Sequence, residues 1–249
     1  MILHIPHSSE IIPEELRDQI ILSDDELCAE LKLMTDAFTD ELFALPEGTL
    51  LRFPISRLLV DVERFPDDTE EPMSKVGMGM IYTHSASGKR LKRTLQPEER
   101  RNLVSRYEAH HQAILKAVNI ELEKHGKALI IDCHSFPSHP LPCDSNQSTP
   151  RPDFCIGTDH FHTPNDLLAV TAHNIKKMGY TLKVNQPYSG TMVPMAFYGK
   201  DRRVRSIMIE VNRSLYMDGQ TGVKSNSFNS IKREIQSLLS VIKRFQHQN

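Results

Sequence analysis

The stretch Ala128-Leu129-Ile130-Ile131-Asp132-Cys133-His134 indicates the fold class of this 249-residue chain. Its apolar residues have the length and composition of a buried strand, and it ends in a histidine that opens a proline-rich loop, residues 135–152. Ligands of open α/β sheets bind just beyond the carboxyl ends of strands. His134 therefore lies where a functional side chain is expected. Near the N-terminus, a second short apolar run delivers His7 to the start of another loop.

The rest of the chain alternates strand-like and helix-like segments. The predicted strands are residues 2–6, 49–53, 58–62, 128–133, 153–157, 181–184 and 206–211. Helical patterns cover residues 23–45, 97–126, 164–178 and 228–245, and the first begins with a capping box formed by Ser23 and Glu26. Strands separated by long helices predict an α/β fold with a mixed, mainly parallel central sheet and helices on both faces. The length fits one large domain or two small ones; no shift in composition marks a linker, and we expect residues 1–249 to form a single domain.

Bulk properties narrow the function classes. The formal net charge of −2 gives no reason to expect a nucleic-acid or anionic membrane partner. No apolar run approaches the roughly 20 residues of a membrane span, and the N-terminus does not have a signal-peptide pattern. The four cysteines are irregularly spaced, which is typical of reduced thiols. We expect a cytoplasmic protein with a small-molecule substrate; the sequence does not indicate the oligomeric state.

Two strand-end histidines are the first candidates for chemistry. A hydrolytic zinc site needs three protein ligands and one open position, and His7 with His134 could supply two of the three. A single strand-end histidine is more often a hydrogen-bonded structural residue. The third ligand would be a carboxylate, either Glu10 or Asp36, and periodicity alone does not choose between them.

Glu210 lies inside an apolar strand, where an unpaired charge is costly. It is either paired with Arg213 or serves as a general base whose pKa is raised by burial. Two arginines, Arg57 and Arg64, flank the predicted strand 58–62. They could bind a substrate carboxylate and a developing oxyanion, or they could pair with the acids between them.

Two long segments, residues 67–94 and 135–152, have little helix or strand pattern. Segments of this kind in a compact domain are often covers of functional sites. We therefore expect the segment 75–94 and the turn Tyr188-Ser189-Gly190 to wall a substrate pocket.

Taken in order, these motifs resemble those of the N-formylglutamate amidohydrolase family. The matching segments span nearly the whole chain: Ile5-Pro6-His7-Ser8-Ser9 with Ile12-Pro13, Thr35-Asp36 ahead of Asp40-Glu41-Leu42-Phe43, Ser56-Arg57-Leu58-Leu59-Val60-Asp61-Val62-Glu63-Arg64, Asp132-Cys133-His134-Ser135, Arg151-Pro152-Asp153-Phe154 with Gly157-Thr158, Asn185-Gln186-Pro187-Tyr188-Ser189-Gly190, and Ile209-Glu210-Val211-Asn212-Arg213. The resemblance implies a zinc-carboxypeptidase-like (phosphorylase/hydrolase-like) α/β fold and metal-dependent amide hydrolysis.

The resemblance also implies roles for residues. His7, Asp36 and His134 look like the metal ligands, of Zn²⁺ or another divalent ion, and Glu210 looks like the general base that later protonates the leaving amine. Arg57 is similar to the arginine that stabilises the oxyanion. The remaining substrate-binding candidates are Arg64, Arg151, Tyr188, Gly190 and Arg213. The family often has Asp-x-Asn-Arg where this chain has Asp61-Val62-Glu63-Arg64, and a carboxylate at Glu63 could repel an acidic substrate.

The expected function is hydrolysis of the amide bond of an N-acyl amino acid, such as N-formylglutamate, in amino-acid metabolism. One alternative is a carboxypeptidase or esterase that uses the same metal site. Another is a non-catalytic ligand-binding protein with the same fold, although such a protein has no use for an unpaired buried carboxylate at Glu210.

Overall fold

A six-stranded sheet forms the centre of the computed structural model, which describes residues 1–248. The strands are β1 (Ile2–Ile5), β2 (Thr49–Arg52), β3 (Ala128–Phe136), β4 (Phe154–Gly157), β5 (Leu182–Val184) and β6 (Val204–Asn212). Their order in the sheet is β2-β1-β3-β6-β4-β5. All neighbours run parallel except β4 and β6, which are antiparallel. The prediction of a mixed, mainly parallel α/β fold is confirmed.

The helices are α1 (Asp24–Met34), α2 (Thr39–Leu42), α3 (Pro97–His125), α4 (Asn165–Lys177) and α5 (Phe228–Gln248). Short 3-10 helices occupy Glu14–Gln19, Pro72–Val76 and Arg213–Leu215. The predicted capping box at the start of α1 is confirmed, because Ser23 and Glu26 exchange backbone–side-chain hydrogen bonds. Across residues 1–248, no helix combines the length and the apolar character that crossing a bilayer requires.

Alternation of side chains along the central strands divides the core into two faces. One face of β1 and β3, with Leu3 and Ile131, packs in the same cluster as apolar residues of α4 and α5. The opposite face, with Ile2 and Ile130, packs against Ile114 and neighbouring residues of α3. His4, Asp132, His134 and Glu210 occupy alternate positions in register with that second face. Pleating therefore directs these four polar side chains to the α3 side of the sheet.

The prediction of a strand at residues 58–62 was wrong. The segment is buried but follows an irregular path, in a cluster with Met78, Met80 and Tyr82. Its backbone groups need no strand partner because other groups satisfy them: Lys92 donates to the carbonyl of Leu58, and the amide of Asp61 donates to that of Met80. The apolar run therefore signalled burial rather than strand geometry.

The prediction of one continuous helix over residues 23–45 was also wrong. Helix α1 ends at Met34, Thr35 is extended, and α2 begins only at Thr39, after Phe38 adopts a positive φ of 66°. Asp36 lies in the break, where its backbone amide donates to the carbonyl of His7 at 3.0 Å. Helical spacing of apolar residues persists across the break, so periodicity could not reveal it. The interruption ties Asp36 to the loop that follows β1.

Candidate metal centre and active site

The polar cluster lies at the carboxyl ends of three adjacent parallel strands. His7 follows β1 by two residues, and His134 and Glu210 are direct register partners in β3 and β6. The imidazole centroids of His7 and His134 are 5.2 Å apart. The structure thus brings together, from three distant parts of the chain, the two histidines and the glutamate singled out from sequence.

His7 presents one nitrogen to a carboxylate and the other to the interior of the cluster. Its Nε2 donates to Oδ1 of Asp61 at 2.9 Å. Its Nδ1 is buried and has no hydrogen-bond partner, and it lies 3.7 Å from Oδ2 of Asp36 and 3.7 Å from Oε2 of Glu63. In metal-binding histidines, one ring nitrogen usually donates to a carboxylate, and the other is free to bind the metal. Nε2 and Nδ1 of His7 have this arrangement.

Asp36 connects both histidines with an arginine. Its Oδ2 accepts a hydrogen bond from Nδ1 of His134 at 3.1 Å, and its Oδ1 accepts one from Nη2 of Arg213 at 2.9 Å. Burial raises the pKa of this carboxyl, but the hydrogen bond from His134 and the positive charge of Arg213 have the larger combined effect and lower it. Asp36 is therefore ionised throughout the physiological range. Glu10, the alternative carboxylate, is exposed on the surface.

Sequence reasoning missed how closely Glu63 approaches the histidines. Its Oε2 lies 3.1 Å from Nε2 of His134, and one ligand atom from each of His7, Glu63 and His134 lies within 4.8 Å of the other two. The sequence signal was the departure from the family pattern at position 63, which we interpreted only as a possible repulsion of substrate. Two carboxylates, Asp36 and Glu63, therefore compete for the place of third ligand.

A second buried chain of hydrogen bonds connects His134 through Asp132 and His4 to His110 on α3. Nε2 of His134 donates to Oδ1 of Asp132 at 3.1 Å, and Nδ1 of His4 donates to the same oxygen at 2.8 Å. Nε2 of His4 in turn lies 2.9 Å from Nε2 of His110 on α3. Burial, together with the neighbouring His4, lowers the pKa of His110 to about 2, so His110 is neutral. Asp132 could have been identified from sequence, since it also places a carboxylate inside an apolar strand.

Glu210 is buried without a compensating cation. Its Oε2 has no hydrogen-bond partner, and no ion pair joins it to Arg213 or to any other described residue from 1 to 248. Burial, with added repulsion from the charges of Asp36 and Glu63, raises its pKa to about 8 and outweighs the opposing positive charges of His134 and Arg213, neither of which forms an ion pair with it. The salt-bridge interpretation of Glu210 is not what the structure contains, because Arg213 is bound to Asp36, to the carbonyl of Leu33 and to Ser135.

The two predicted arginines of the irregular segment both face Asp61. Arg57 donates through Nη2 and Nε to Oδ2 of Asp61, at 2.7 and 3.2 Å. Arg64 places Nε 3.7 Å from the same oxygen, beyond hydrogen-bond distance, and that Nε is buried and unpartnered. Pairing with Asp61 was one of the two alternatives considered from sequence. Because one carboxylate, Asp61, faces two guanidinium groups, the three side chains together carry a net positive charge.

The site opens into a cavity of about 860 Å³. Of the predicted substrate-binding residues, Arg64, Tyr188, Gly190 and Arg213 line it, as do Arg57, Glu210 and the histidines of the cluster. Arg151 does not line it; this buried side chain lies behind the wall, where it donates to the hydroxyl of Tyr188 at 2.7 Å and to Asp144 at 2.9 Å. Arg151 thereby fastens the loop 135–152 to the Tyr188 turn.

Comparisons with known proteins find one family and a shared fold. The family model described as N-formylglutamate amidohydrolase matches residues 1–217. The chain is 22% identical over 228 residues to N-formylglutamate deformylase of Pseudomonas putida, covering 88% of this chain and 82% of that protein. The fold is similar to the crystal structure of N-formylglutamate amidohydrolase from Ralstonia eutropha JMP134, with 23% identity and a TM-score of 0.86 over all of this chain and 94% of the other. It is also similar to gene product Atu2144 from Agrobacterium tumefaciens, with 19% identity, a TM-score of 0.62, and 97% and 91% coverage.

Proposed function

The chain belongs to the N-formylglutamate amidohydrolase family, and we propose that it hydrolyses the amide bond of N-formyl and other N-acyl amino acids at a divalent metal centre. We take residues 1–249 as a single domain of this family. N-formylglutamate, the substrate named for the relatives, is the first substrate to test. A cytoplasmic location belongs to the same proposal and is supported by the four free thiols.

One observation carries the proposal: two buried polar atoms without partners, Nδ1 of His7 and Oε2 of Glu210, belong to the same cluster. The cluster also contains His134 with Asp36 and Glu63, an excess of carboxylates around two imidazoles. Buried acids in this arrangement suit a cation, and the mixture of imidazole and carboxylate ligands fits Zn²⁺, although Mn²⁺, Fe²⁺ or Co²⁺ could occupy the same set.

We propose that His7, His134 and Asp36 hold the ion, with Glu63 as the alternative carboxylate. The ion, when bound, acts as a Lewis acid on the acyl carbonyl and makes water a stronger acid near neutral pH. Asp61 and Asp132 accept hydrogen bonds from the outer nitrogens of His7 and His134 and so fix both rings.

Glu210 performs the proton transfer in this proposal. Water attacks the acyl carbon, and Glu210 accepts the proton that the water loses. When the carbon–nitrogen bond breaks, Glu210 gives that proton to the amine, releasing the free amino acid and the carboxylic acid. A carboxyl whose pKa is raised by burial into the range around neutral pH is suited both to take and to return a proton.

The arginines bind the two negative charges of the reaction. Asp61 engages Nη2 and Nε of Arg57, which leaves Nη1 as the donor to the oxyanion. Arg64 is the anchor for the substrate carboxylate, since it lines the cavity with a side chain that is 23% exposed and makes no hydrogen bond to a carboxylate of the described residues. Arg213 is hydrogen-bonded to Asp36, and Arg151 is hydrogen-bonded to Tyr188. We propose that Arg213 positions Asp36 as a metal ligand and that Arg151 positions Tyr188 in the cavity wall.

The test is to strip the protein of metal with a chelator, reload it with Zn²⁺, Mn²⁺ or Co²⁺, and assay acid and free amine release. The panel contains N-formyl amino acids, dipeptides and simple esters, so that the carboxypeptidase and esterase alternatives are measured together. Metal-dependent release of formate from N-formyl amino acids supports the proposal. Tight metal binding with no turnover of any substrate would favour a ligand-binding protein.

A further inference from the structure

The cavity wall contains one guanidinium group that is free to bind a carboxylate. Among the described residues that line the cavity, three are arginines and none is a lysine. Asp61 engages Arg57 through two hydrogen bonds, and Asp36 engages Arg213. Arg64 alone of the three makes no hydrogen bond to a carboxylate: its Nε lies 3.7 Å from Oδ2 of Asp61, and its side chain is 23% exposed.

The remaining charges of the wall are negative. Glu63 contacts the two histidines, and Glu70 is exposed at the cavity without a cationic partner among residues 1–248. A substrate with two carboxylates, such as N-formylglutamate, can place one on Arg64. Its second carboxylate would then meet this acidic wall, where like charges repel and the lining offers no second arginine or lysine free of a carboxylate hydrogen bond.

Much of the rest of the wall is apolar and rich in methionine. Six of the protein's ten methionines line the cavity: Met34, Met73, Met78, Met192, Met195 and Met208. Methionine surfaces adapt their shape to varied apolar ligands because the side chain is unbranched and flexible. The absence of a side chain at Gly157 makes room for one of them, since a Cβ there would come within 2.3 Å of Cε of Met208.

The mouth of the cavity is apolar as well. Phe65, Met195 and Tyr198 all line it, and their exposed fractions are 48%, 64% and 45%. Clustered exposed apolar side chains mark ligand-binding surfaces. The cavity volume of about 860 Å³ is near the upper end of the roughly 300–1,000 Å³ that hold drug-sized ligands, so a formylated single amino acid leaves much of it unfilled.

We propose that the preferred substrate is an N-acyl amino acid with a single carboxylate, held by Arg64, and an extended apolar group packed against the methionine wall. This inference rests on the proposed amidohydrolase function and narrows its substrate class. The apolar group can be the amino-acid side chain or the acyl chain, which have the same chemistry and are distinguished by experiment.

The primary experiment compares N-formyl-L-glutamate with N-formyl-L-glutamine and N-formyl-L-methionine, on the metal-loaded enzyme at fixed ionic strength. The three side chains have similar length and differ in charge and polarity. We expect kcat/KM to increase in that order, with N-formyl-L-methionine at least tenfold above N-formyl-L-glutamate. N-octanoyl-L-glutamine, assayed beside its N-formyl counterpart, tests the acyl side: a gain there assigns the apolar group to the acyl chain, and no gain assigns it to the side chain.

A variant pair tests the wall itself. Met195→Lys places a cation at the mouth on an exposed side chain, whereas Val223→Lys makes the same change at a site that is 59% exposed and does not line the cavity. We expect Met195→Lys to lower the ratio of kcat/KM for N-formyl-L-methionine to kcat/KM for N-formyl-L-glutamate at least threefold. Val223→Lys should leave this ratio unchanged. Equal ratios in both variants, or a wild-type preference for N-formyl-L-glutamate, would overturn this inference while leaving the amidohydrolase function intact. Failure to hydrolyse any substrate would instead overturn the proposed function.

Discussion

Asp61 accepts a hydrogen bond from Nε2 of His7 at 2.9 Å, while Nδ1 of the same ring is buried without a partner. The carboxylate is completely buried and accepts hydrogen bonds from Arg57. Burial raises its pKa, but the positive charges of Arg57 and of the nearby Arg64 outweigh that effect and hold the pKa well below the usual range. A permanently ionised acceptor fixes the tautomer of His7, so that the proton is on Nε2 and the lone pair is on Nδ1. This relationship leaves the lone pair of Nδ1 available to bind a metal ion, as proposed above.

Asp61→Asn should therefore weaken metal binding. Loss of a carboxylate that hydrogen-bonds a metal-binding histidine typically lowers metal affinity about 10- to 100-fold, and we expect that range here. Competition with a chromophoric chelator measures the affinity. Asp144→Asn is the matched control, because Asp144 also pairs with a buried arginine, Arg151, but not with a histidine of the cluster. Equal affinities in the two variants would show that Asp61 does not support the ligand.

The third ligand can be assigned by two substitutions. We expect Asp36→Asn to lower metal affinity by more than about 100-fold, since loss of a direct ligand exceeds the effect of an outer-shell partner. Glu63→Asn, which introduces the residue common in the family, should retain metal and activity. Asp36 has the stronger physical case because Arg213 and the backbone of His7 fix it, whereas Glu63 is only partly buried. Metal loss in Glu63→Asn with retention in Asp36→Asn would reverse the assignment.

Glu210→Gln should separate binding from catalysis. The amide keeps the size of the side chain but cannot accept the proton of the attacking water, so we expect kcat to fall by about 10²- to 10⁴-fold. Metal content should stay at the wild-type value, since Glu210 is not among the proposed ligands. Steady-state kinetics and metal analysis on the same preparation check both parts. A fully active Glu210→Gln protein would remove the general base from the mechanism.

Lys92 predicts a pH dependence of stability outside the site. Its ammonium group is buried and donates to the carbonyls of Leu58 and Tyr82, and burial lowers its pKa to about 7. Between this value and the ordinary pKa of about 10.4, the unfolded chain binds more protons than the folded one, so the free energy of unfolding rises with pH across that window. The maximum gain is on the order of a few kcal/mol, at about 1.4 kcal/mol per pKa unit.

Urea unfolding of metal-free protein from pH 6.5 to 9.5 measures this dependence. We expect Lys92→Met to flatten the rise in stability with pH relative to the wild type. Lys89→Met serves as the control because Lys89 is exposed and pairs with Glu26 at the surface. The expectation fails if both variants keep the slope of the wild type.

The sequence predicted the sheet well because its four central strands, β1, β3, β6 and β4, are buried on both faces and are bounded by turn residues. His7, His134 and Glu210 could be identified for the same reason: polar side chains stand out at the ends of apolar strands or within them. The break in the helix at Asp36 escaped prediction because apolar periodicity continues across it. Its position depends on a tertiary contact, the hydrogen bond to the carbonyl of His7.

The supporting residues were harder to find from sequence. His110 lies on a long helix, where its sequence position is typical of a residue at the edge of the core. Only the packing of α3 on β1 brings it to His4. Glu63 and Asp61 belong to an irregular buried segment whose backbone groups are satisfied by donors such as Lys92 and His111. Such a path has no period in the sequence, so the directions of its side chains could not be predicted.

Arg64→Gln should weaken binding of the substrate carboxylate with little effect on the chemical step. A charge-assisted hydrogen bond contributes about 1.5–3 kcal/mol, so we expect kcat/KM to fall by roughly 10- to 150-fold, mainly through KM. N-formyl-L-methionine amide, which lacks the carboxylate, provides the internal control. Wild-type enzyme should prefer the acid over the amide, and Arg64→Gln should abolish that preference while hydrolysing the amide at the wild-type rate. If the preference persists in Arg64→Gln, another group binds the carboxylate, and Arg213 is the first candidate because it also lines the cavity.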